Sequence, residues 1–271
     1  MTSQAPNVLR LDGSSLSLEA LEPLVRGEGM RVEIDPACHD GILASRAMVD
    51  AHVEAGDVVY GLTTGFGRLK NVAVAGEDLA ELQRNLILSH CVGIGEPMPI
   101  REVRIAQVLR LNSLLRGVSG VRLELVEHLA AVFNADFVPV VPQQGSVGAS
   151  GDLAPLSHMA GAMMGAGEAW VRGHRMDAAE GLREAGLEVL APAAKEGLAL
   201  INGTEIMKAS AVVSVLRASN ISRAADAIAS LSIEALKGSD RPFQDLLARL
   251  KNNEGQRRTA SNVRACLANS E

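Results

Sequence analysis

The run Gly145-Ser146-Val147-Gly148-Ala149-Ser150-Gly151-Asp152-Leu153-Ala154-Pro155-Leu156 sets an Ala-Ser-Gly tripeptide between a glycine-rich turn and an apolar helix start. Such a tripeptide can cyclise on itself. Attack of the Gly151 backbone nitrogen on the Ala149 carbonyl carbon, with loss of that carbonyl's oxygen and of the Ser150 hydroxyl as two waters, gives a five-membered methylidene-imidazolone carrying an electrophilic methylene. Each residue type has a reason: Gly151 has no Cβ to obstruct the attacking nitrogen, Ala149 is small, Ser150 supplies the leaving hydroxyl, and the flanking glycines permit a strained backbone. No external cofactor is needed. The bland reading is a glycine-rich loop that merely precedes a helix. Other glycine-based chemistries fit worse, because no Gly-Lys-Ser/Thr follows, Rossmann spacing is absent, and Asp152 occupies the last position of what would be a Gly-x-Ser-x-Gly elbow.

Extended by Ser157-His158-Met159-Ala160, this block resembles the aromatic amino-acid ammonia-lyase family. Two further blocks agree in order, Tyr60-Gly61-Leu62-Thr63-Thr64-Gly65-Phe66-Gly67 upstream and Asn202-Gly203-Thr204 downstream, and Asn85-Leu86-Ile87-Leu88-Ser89-His90 is similar to the family's substrate-selectivity segment. The resemblance implies a prosthetic group made from Ala149, Ser150 and Gly151, with Ser150 as the source of the electrophile and Tyr60 as the base that takes the substrate β-proton. It also implies substrate contacts from Ser89, His90, Asn202 and Gly67. Taken alone, Tyr60 would be a packing residue at the end of an apolar run, and His90 a satisfied core histidine. In the family a Ser-His pair at positions 89 and 90 is similar to that of the histidine-specific members, since an imidazole can hydrogen-bond a substrate imidazole where leucine would suit a phenyl ring. Elimination of ammonia from L-histidine to trans-urocanate is therefore expected, with a phenylalanine or tyrosine lyase, or an aminomutase, as the alternatives. Glu205 departs from the glutamine usual in histidine-specific members, and a carboxylate there is expected to repel a substrate carboxylate. His158 is expected to support its helix or stay buried.

These residues need a frame to position them. Val8 to Leu11 reads as a short strand or turn and Met30 to Ile34 as a strand, with a small helix at Ser17 to Arg26 between them, and Ala37 to Ala55 carries apolar residues at helical spacing. Val58 to Tyr60 reads as a strand leaving into a loop. Helices are expected over Gly76 to Cys91, Ile100 to Arg116 and Val121 to Asn134, and from Leu153 to about Ala166 with Asp152 as N-cap. Trp170 to Arg175 reads as a hairpin and Asp177 to Gly186 as a surface helix. From Lys195 to Lys237 an alanine-rich apolar pattern predicts one long helix, or two joined near Asn202, and Thr259 to Ala268 a last amphipathic helix. The expected fold is mainly α, with an N-terminal mixed part at 1–194 leading into the start of a long-helix bundle at 195–271. By resemblance that bundle is of the ammonia-lyase and fumarase-like type.

Composition narrows the class further. Aromatic residues are 2% of the 271, against 47% hydrophobic overall, which suits close-packed helices more than a β-sandwich. A net charge of -6 without a basic cluster gives no footprint for nucleic acid or an anionic membrane surface. No signal sequence or membrane span is read, so a cytoplasmic protein is expected. Cys38, Cys91 and Cys266 lack metal-site spacing, and free thiols with no metal are expected. Expected partners are a small-molecule amino acid and other copies of the chain. The family's chains are about twice as long and assemble as homotetramers, so the sequence reads as an N-terminal half to be completed by a complementary C-terminal half. A fragment that assembles without catalysis is the competing reading.

Overall fold

A computed structural model describes residues 7–65, 78–147 and 151–270 of the chain. It is mainly α-helical, and divides into two compact units, Met1–Val212 and Val213–Glu271.

In the first unit, β1 (Asn7–Leu11) pairs in parallel with β2 (Met30–Ile34), from Asn7 opposite Met30 to Leu11 opposite Ile34. Between them lie a short 3-10 turn at Glu19–Leu21 and α1 (Glu22–Arg26), so the predicted small helix starts later than Ser17 and in two pieces. A second 3-10 turn at Pro36–Cys38, capped by Asp35, leads into α2 (His39–Ala55). That helix ends on Gly56 at φ +69°, where Gly56 and Asp57 donate back to Val53 and His52.

The core is built on α4 (Ile100–Leu114) and α5 (Leu123–Asn134), which bury Val103, Ile105, Leu111, Leu114, Val126 and Phe133. Asn134 locks β2 to the end of α5, exchanging hydrogen bonds with both the N–H and the carbonyl of Val32 at 2.9 and 3.0 Å. Two small sheets flank this core. β3 (Ile94–Pro97) pairs antiparallel with β5 (Pro142–Gln144), and β4 (Phe137–Pro139) joins the hairpin of β6 (Glu168–Val171) and β7 (His174–Asp177) in the order β4-β6-β7. The hairpin was legible; β3, β4 and β5 were not. Asp177 then caps α7 (Ala178–Ala185) through the amides of Ala179 and Glu180.

Three helices carry the site residues. α3 (Leu79–His90) packs against α6 (Leu153–Met163) and α8 (Glu196–Ile201). The approach of α3 to α8 is close enough that a Cβ on Gly197 would lie 2.7 Å from the Gln83 carbonyl oxygen. Fully buried Glu196 fixes the start of α8 by accepting from the Arg122 amide and guanidinium and from the Ala193 amide, at 2.7 to 2.9 Å.

Asn202 to Thr204 separate α8 from α9 (Glu205–Ala235), a helix of 31 residues, which is the two-helix form of the sequence expectation. By length and hydropathy alone the stretch Glu196–Ala235 is long and apolar enough to cross a membrane, which the sequence reading did not anticipate. Ala209 within it is fully buried, and Val213 and Leu216 nearly so.

In the second unit α9 continues beside α10 (Asp245–Leu250) and α11 (Glu254–Cys266), the latter beginning before the expected Thr259 because Asn253 caps it through the Gln256 amide. Asn262 donates to Asp226 at 2.8 Å, and Ala260 and Val263 turn inward. Ile221, Ile228, Leu231, Leu236 and Leu250 stand exposed on this unit.

Candidate active site

Gly151 stands two residues before α6 and meets the junction of α8 and α9. Its φ is +114°, a region L side chains rarely adopt, and a Cβ there would lie 2.9 Å from the Gly203 carbonyl oxygen and 3.2 Å from Asn202 Oδ1. Only glycine fits. The next amide, that of Asp152, donates to the Gly203 carbonyl at 2.6 Å, so the two backbone segments are tied directly.

Asp152 holds the N-cap position of α6, but its side chain does not cap that helix. The fully buried carboxylate instead accepts from the Met207 amide at 2.9 Å and from Ser146 Oγ at 2.6 Å. The first bond uses an orphan donor in the opening turn of α9; the second joins the two ends of the glycine-rich loop. The helix-cap expectation is thus corrected: Pro155, third residue of α6, has no amide to offer, and the carboxylate reaches the first turn of α9 instead.

Behind this contact lies an ion pair. Arg110 donates through Nη1 to Glu205 Oε2 at 2.9 Å, and through Nη2 to the Ala199 carbonyl at 2.6 Å, with both side chains almost wholly buried. Glu205 is therefore neutralised by Arg110, and the expected repulsion of a substrate carboxylate is removed. Residue 203 must be small for the same reason: a Cβ there would fall 2.0 Å from Arg110 Nη1 and 2.0 Å from Glu205 Oε2.

Ser89 and His90 end α3. His90 Nδ1 lies 2.8 Å from the Leu86 carbonyl, which can only accept, so in the neutral ring Nδ1 carries the proton and Nε2 is an acceptor. Ser89 Oγ donates to the same carbonyl at 3.0 Å. Just beyond, Gly93 N–H donates to His158 Nε2 at 3.0 Å, and a Cβ on Gly161 would touch Cys91 Sγ at 3.2 Å, so α6 carries the end of α3 along its flank.

His158 sits half-buried, and desolvation holds its pKa below the ordinary 6.5. The bond from Gly93 needs the neutral ring. A depressed histidine pKa means the folded chain binds fewer protons than the unfolded one, so stability is full above about pH 6.5 and falls as pH drops through the folded-state value. His158→Gln keeps an acceptor without a titrating group, and its urea midpoint is expected to fall less than that of the native chain between pH 7.5 and pH 5, a window set by the ordinary histidine value. Equal slopes would contradict this. His128, also depressed by burial, contributes the same slope to both proteins.

Tyr60 does not leave a strand. Val58 to Gly61 turn back on themselves, because the Val59 carbonyl accepts from Leu62 and Thr63 at 3.1 and 3.0 Å while the Val59 amide donates to Thr63 Oγ1 at 2.9 Å. Tyr60 stands at the apex, 59% exposed, beside Gly61 at φ +73°. It lines a groove of about 600 Å³ with Met48, Val49, Leu62, Val118 and Lys195, whose walls do not include Gly151, His90 or Asn202. The first unit thus brings Gly151 and Asn202 together, sets Ser89 and His90 on the helix beside them, and leaves Tyr60 on another recess. Ala149, Ser150 and Gly67 lie outside the described residues.

Arg110 was not found by sequence reasoning. The signal was there: an arginine between Val108 and Leu111 in an apolar helix needs a buried partner.

The sequence pattern of the aromatic amino acid lyase family matches residues 16–271. The chain belongs to this family. It is 44% identical over 261 residues to a histidine ammonia-lyase of Caldanaerobacter subterraneus subsp. tengcongensis, covering 96% of this chain and 51% of the relative. Among solved structures, histidine ammonia-lyase from Trypanosoma cruzi superposes with a TM-score of 0.88 at 39% identity, over 95% of this chain and 50% of that one. Phenylalanine aminomutase of Pantoea agglomerans reaches 0.88 at 30% identity, over 97% and 50%. The chain spans about half the length of the curated relatives it matches.

Proposed function

We propose that this chain supplies the electrophile-bearing half of a histidine ammonia-lyase, which eliminates ammonia from L-histidine to give trans-urocanate. The observation that carries the reading is the seating of Gly151 against Asn202 and Gly203, where a side chain at 151 is sterically forbidden and the amide of residue 152 is already held. That arrangement fits a methylidene-imidazolone formed from Ala149, Ser150 and Gly151, which when present supplies an electrophilic methylene. The relatives named histidine ammonia-lyase support the same class of reaction.

In this reading the chain's own side chains do the rest. Tyr60 accepts the β-proton of the substrate; the electrons of that C–H bond form the alkene as the C–N bond breaks and ammonia departs. His90, with Nε2 as an acceptor, receives the N–H of the substrate imidazole, and Ser89 Oγ, 3.2 Å from His90 Nδ1, sits against the ring while the Leu86 carbonyl accepts from both. Asn202 orients the substrate beside Gly151, Gly67 lines the pocket, and the open amides at the start of α6 favour developing negative charge. Tyr60 lies on a separate recess of this chain, so its approach to Asn202 belongs to an assembly. The proposed assembly is a homotetramer, or a complex with a complementary C-terminal half, in the cytoplasm, without nucleic acid or membrane partners. The exposed apolar residues of the second unit, at the start of a helical bundle, are suited to that role. Division at 1–194 and 195–271 remains the proposed functional partition.

Supplied in trans with the C-terminal half of a histidine ammonia-lyase relative, the chain is expected to release urocanate from L-histidine, and neither cinnamate from phenylalanine nor coumarate from tyrosine. The chain alone is expected to release little or none. Preferential cinnamate or coumarate would transfer the assignment to a phenylalanine or tyrosine lyase, and β-amino acid products to an aminomutase like the Pantoea protein. No product with any of the three substrates would favour a non-catalytic assembly factor.

A further inference from the structure

We propose that Arg110 is a positioning residue for closure of the Ala149-Ser150-Gly151 ring, holding the Gly203 peptide as the wall against which Gly151 is seated. This inference rests on the ring-forming reading given above. Closure forms the bond from Gly151 N to the Ala149 carbonyl carbon. The Ala149 carbonyl oxygen leaves as water with the amide hydrogens of Gly151 and Ser150; Ser150 Oγ and its proton leave as a second water with the Ser150 Cα hydrogen. No oxidant or co-reactant enters. What the protein must supply is placement, because an amide nitrogen attacks a neighbouring carbonyl only when the backbone is held close to the product geometry.

The placement of Gly151 is traceable atom by atom. Gly151 abuts the Gly203 carbonyl, and Asp152 N–H is bonded to the same oxygen at 2.6 Å. The Cα of Gly203 in turn rests on the Arg110 guanidinium and the Glu205 carboxylate, with space for no Cβ between them. Arg110 reaches three points at once: Glu205 at 2.9 Å, the Ala199 carbonyl at 2.6 Å and, at the limit of bonding distance, the Asn202 carbonyl at 3.5 Å. Two of these are carbonyls at the C-terminal end of α8, which lack intrahelical partners. Among the described residues the buried Arg110 Nε has no hydrogen-bond partner, so the terminal nitrogens set the orientation of the guanidinium. A lysine would offer Glu205 its charge, but one ammonium cannot span the carboxylate and the α8 carbonyls as the planar fork does.

The test is the intact mass of the 271-residue chain and of its variants, read alongside circular dichroism to confirm that each is folded. The native chain should be two waters lighter than its translated sequence; an unshifted native mass would refute the ring reading itself. Against that control, Arg110→Lys should carry on the order of tenfold less closed chain. Glu205→Gln, which preserves an acceptor for Arg110 but leaves the guanidinium charge unpaired, should melt lower yet close as fully as the native chain, which separates geometry from charge. Should the lysine variant fold poorly, Arg110→Gln combined with Glu205→Gln leaves no buried charge unpaired and is expected to show the same deficit in a folded chain. A purely structural role would lower the melting temperature of the variants that lack Arg110 while leaving their mass two waters light, and that result would overturn the proposal.

Discussion

Gly203→Ala is expected to cost the first unit about 3–5 kcal/mol of stability and to leave the chain without its two-water mass loss. A Cβ at this position falls 2.0 Å from both Arg110 Nη1 and Glu205 Oε2, well inside contact distance, so one of the two must retreat. Neither has room, since both side chains are almost wholly buried. Separating them strands a charge in the interior, the costly outcome for a buried pair. Domains are typically stable by only about 5–15 kcal/mol, so a loss of this size consumes much of the margin. The urea midpoint checks the first part and intact mass the second; a midpoint equal to that of the native chain would show that the pair is not held as the structure places it.

Tyr60→Phe carries the largest expected effect on turnover, a fall in kcat of about 10²–10⁴ in the assembled enzyme, the range for loss of a general base. Fold and ring should both survive the change. The turn is held by the Val59 carbonyl and amide and by Thr63 Oγ1, and the residue is 59% exposed at its apex. The informative pattern is therefore specific: native melting temperature, native mass, collapsed kcat. Retention of kcat within a few-fold would remove Tyr60 from the base role and direct attention to other groups.

The parts of this molecule that were legible in the sequence are those whose cause is local. Ala149-Ser150-Gly151 is recognisable because its chemistry needs only three consecutive residue types. Gly56 and Gly186 announce helix ends through their left-handed backbone, and Asp177 a start through the amides two and three residues on. The misreadings have non-local causes. β3 reads Ile94-Gly95-Glu96-Pro97 and β5 Pro142-Gln143-Gln144, sequences of low strand propensity made strands by each other. Val58 to Tyr60 has the opposite fault, an apolar β-branched run that finds no ladder and folds back once Thr63 captures the Val59 amide. Asp152 reads as a cap, yet serves a helix whose first turn lies more than fifty residues away. The Arg110–Glu205 pair, 95 residues apart, was visible only as an arginine in the wrong surroundings. In the candidate site, sequence supplied the reacting atoms and the structure supplied what presses them together.

The most direct test of the central claim is the intact mass of the purified chain beside that of Ser150→Ala. A native chain two waters lighter than translation, with the alanine variant losing at most the single water of ring closure, is the expected result, because a loop seated as Gly151 is seated can close and only Ser150 can supply the second water. A native chain at its full translated mass would contradict the claim that this half of the molecule makes its own electrophile.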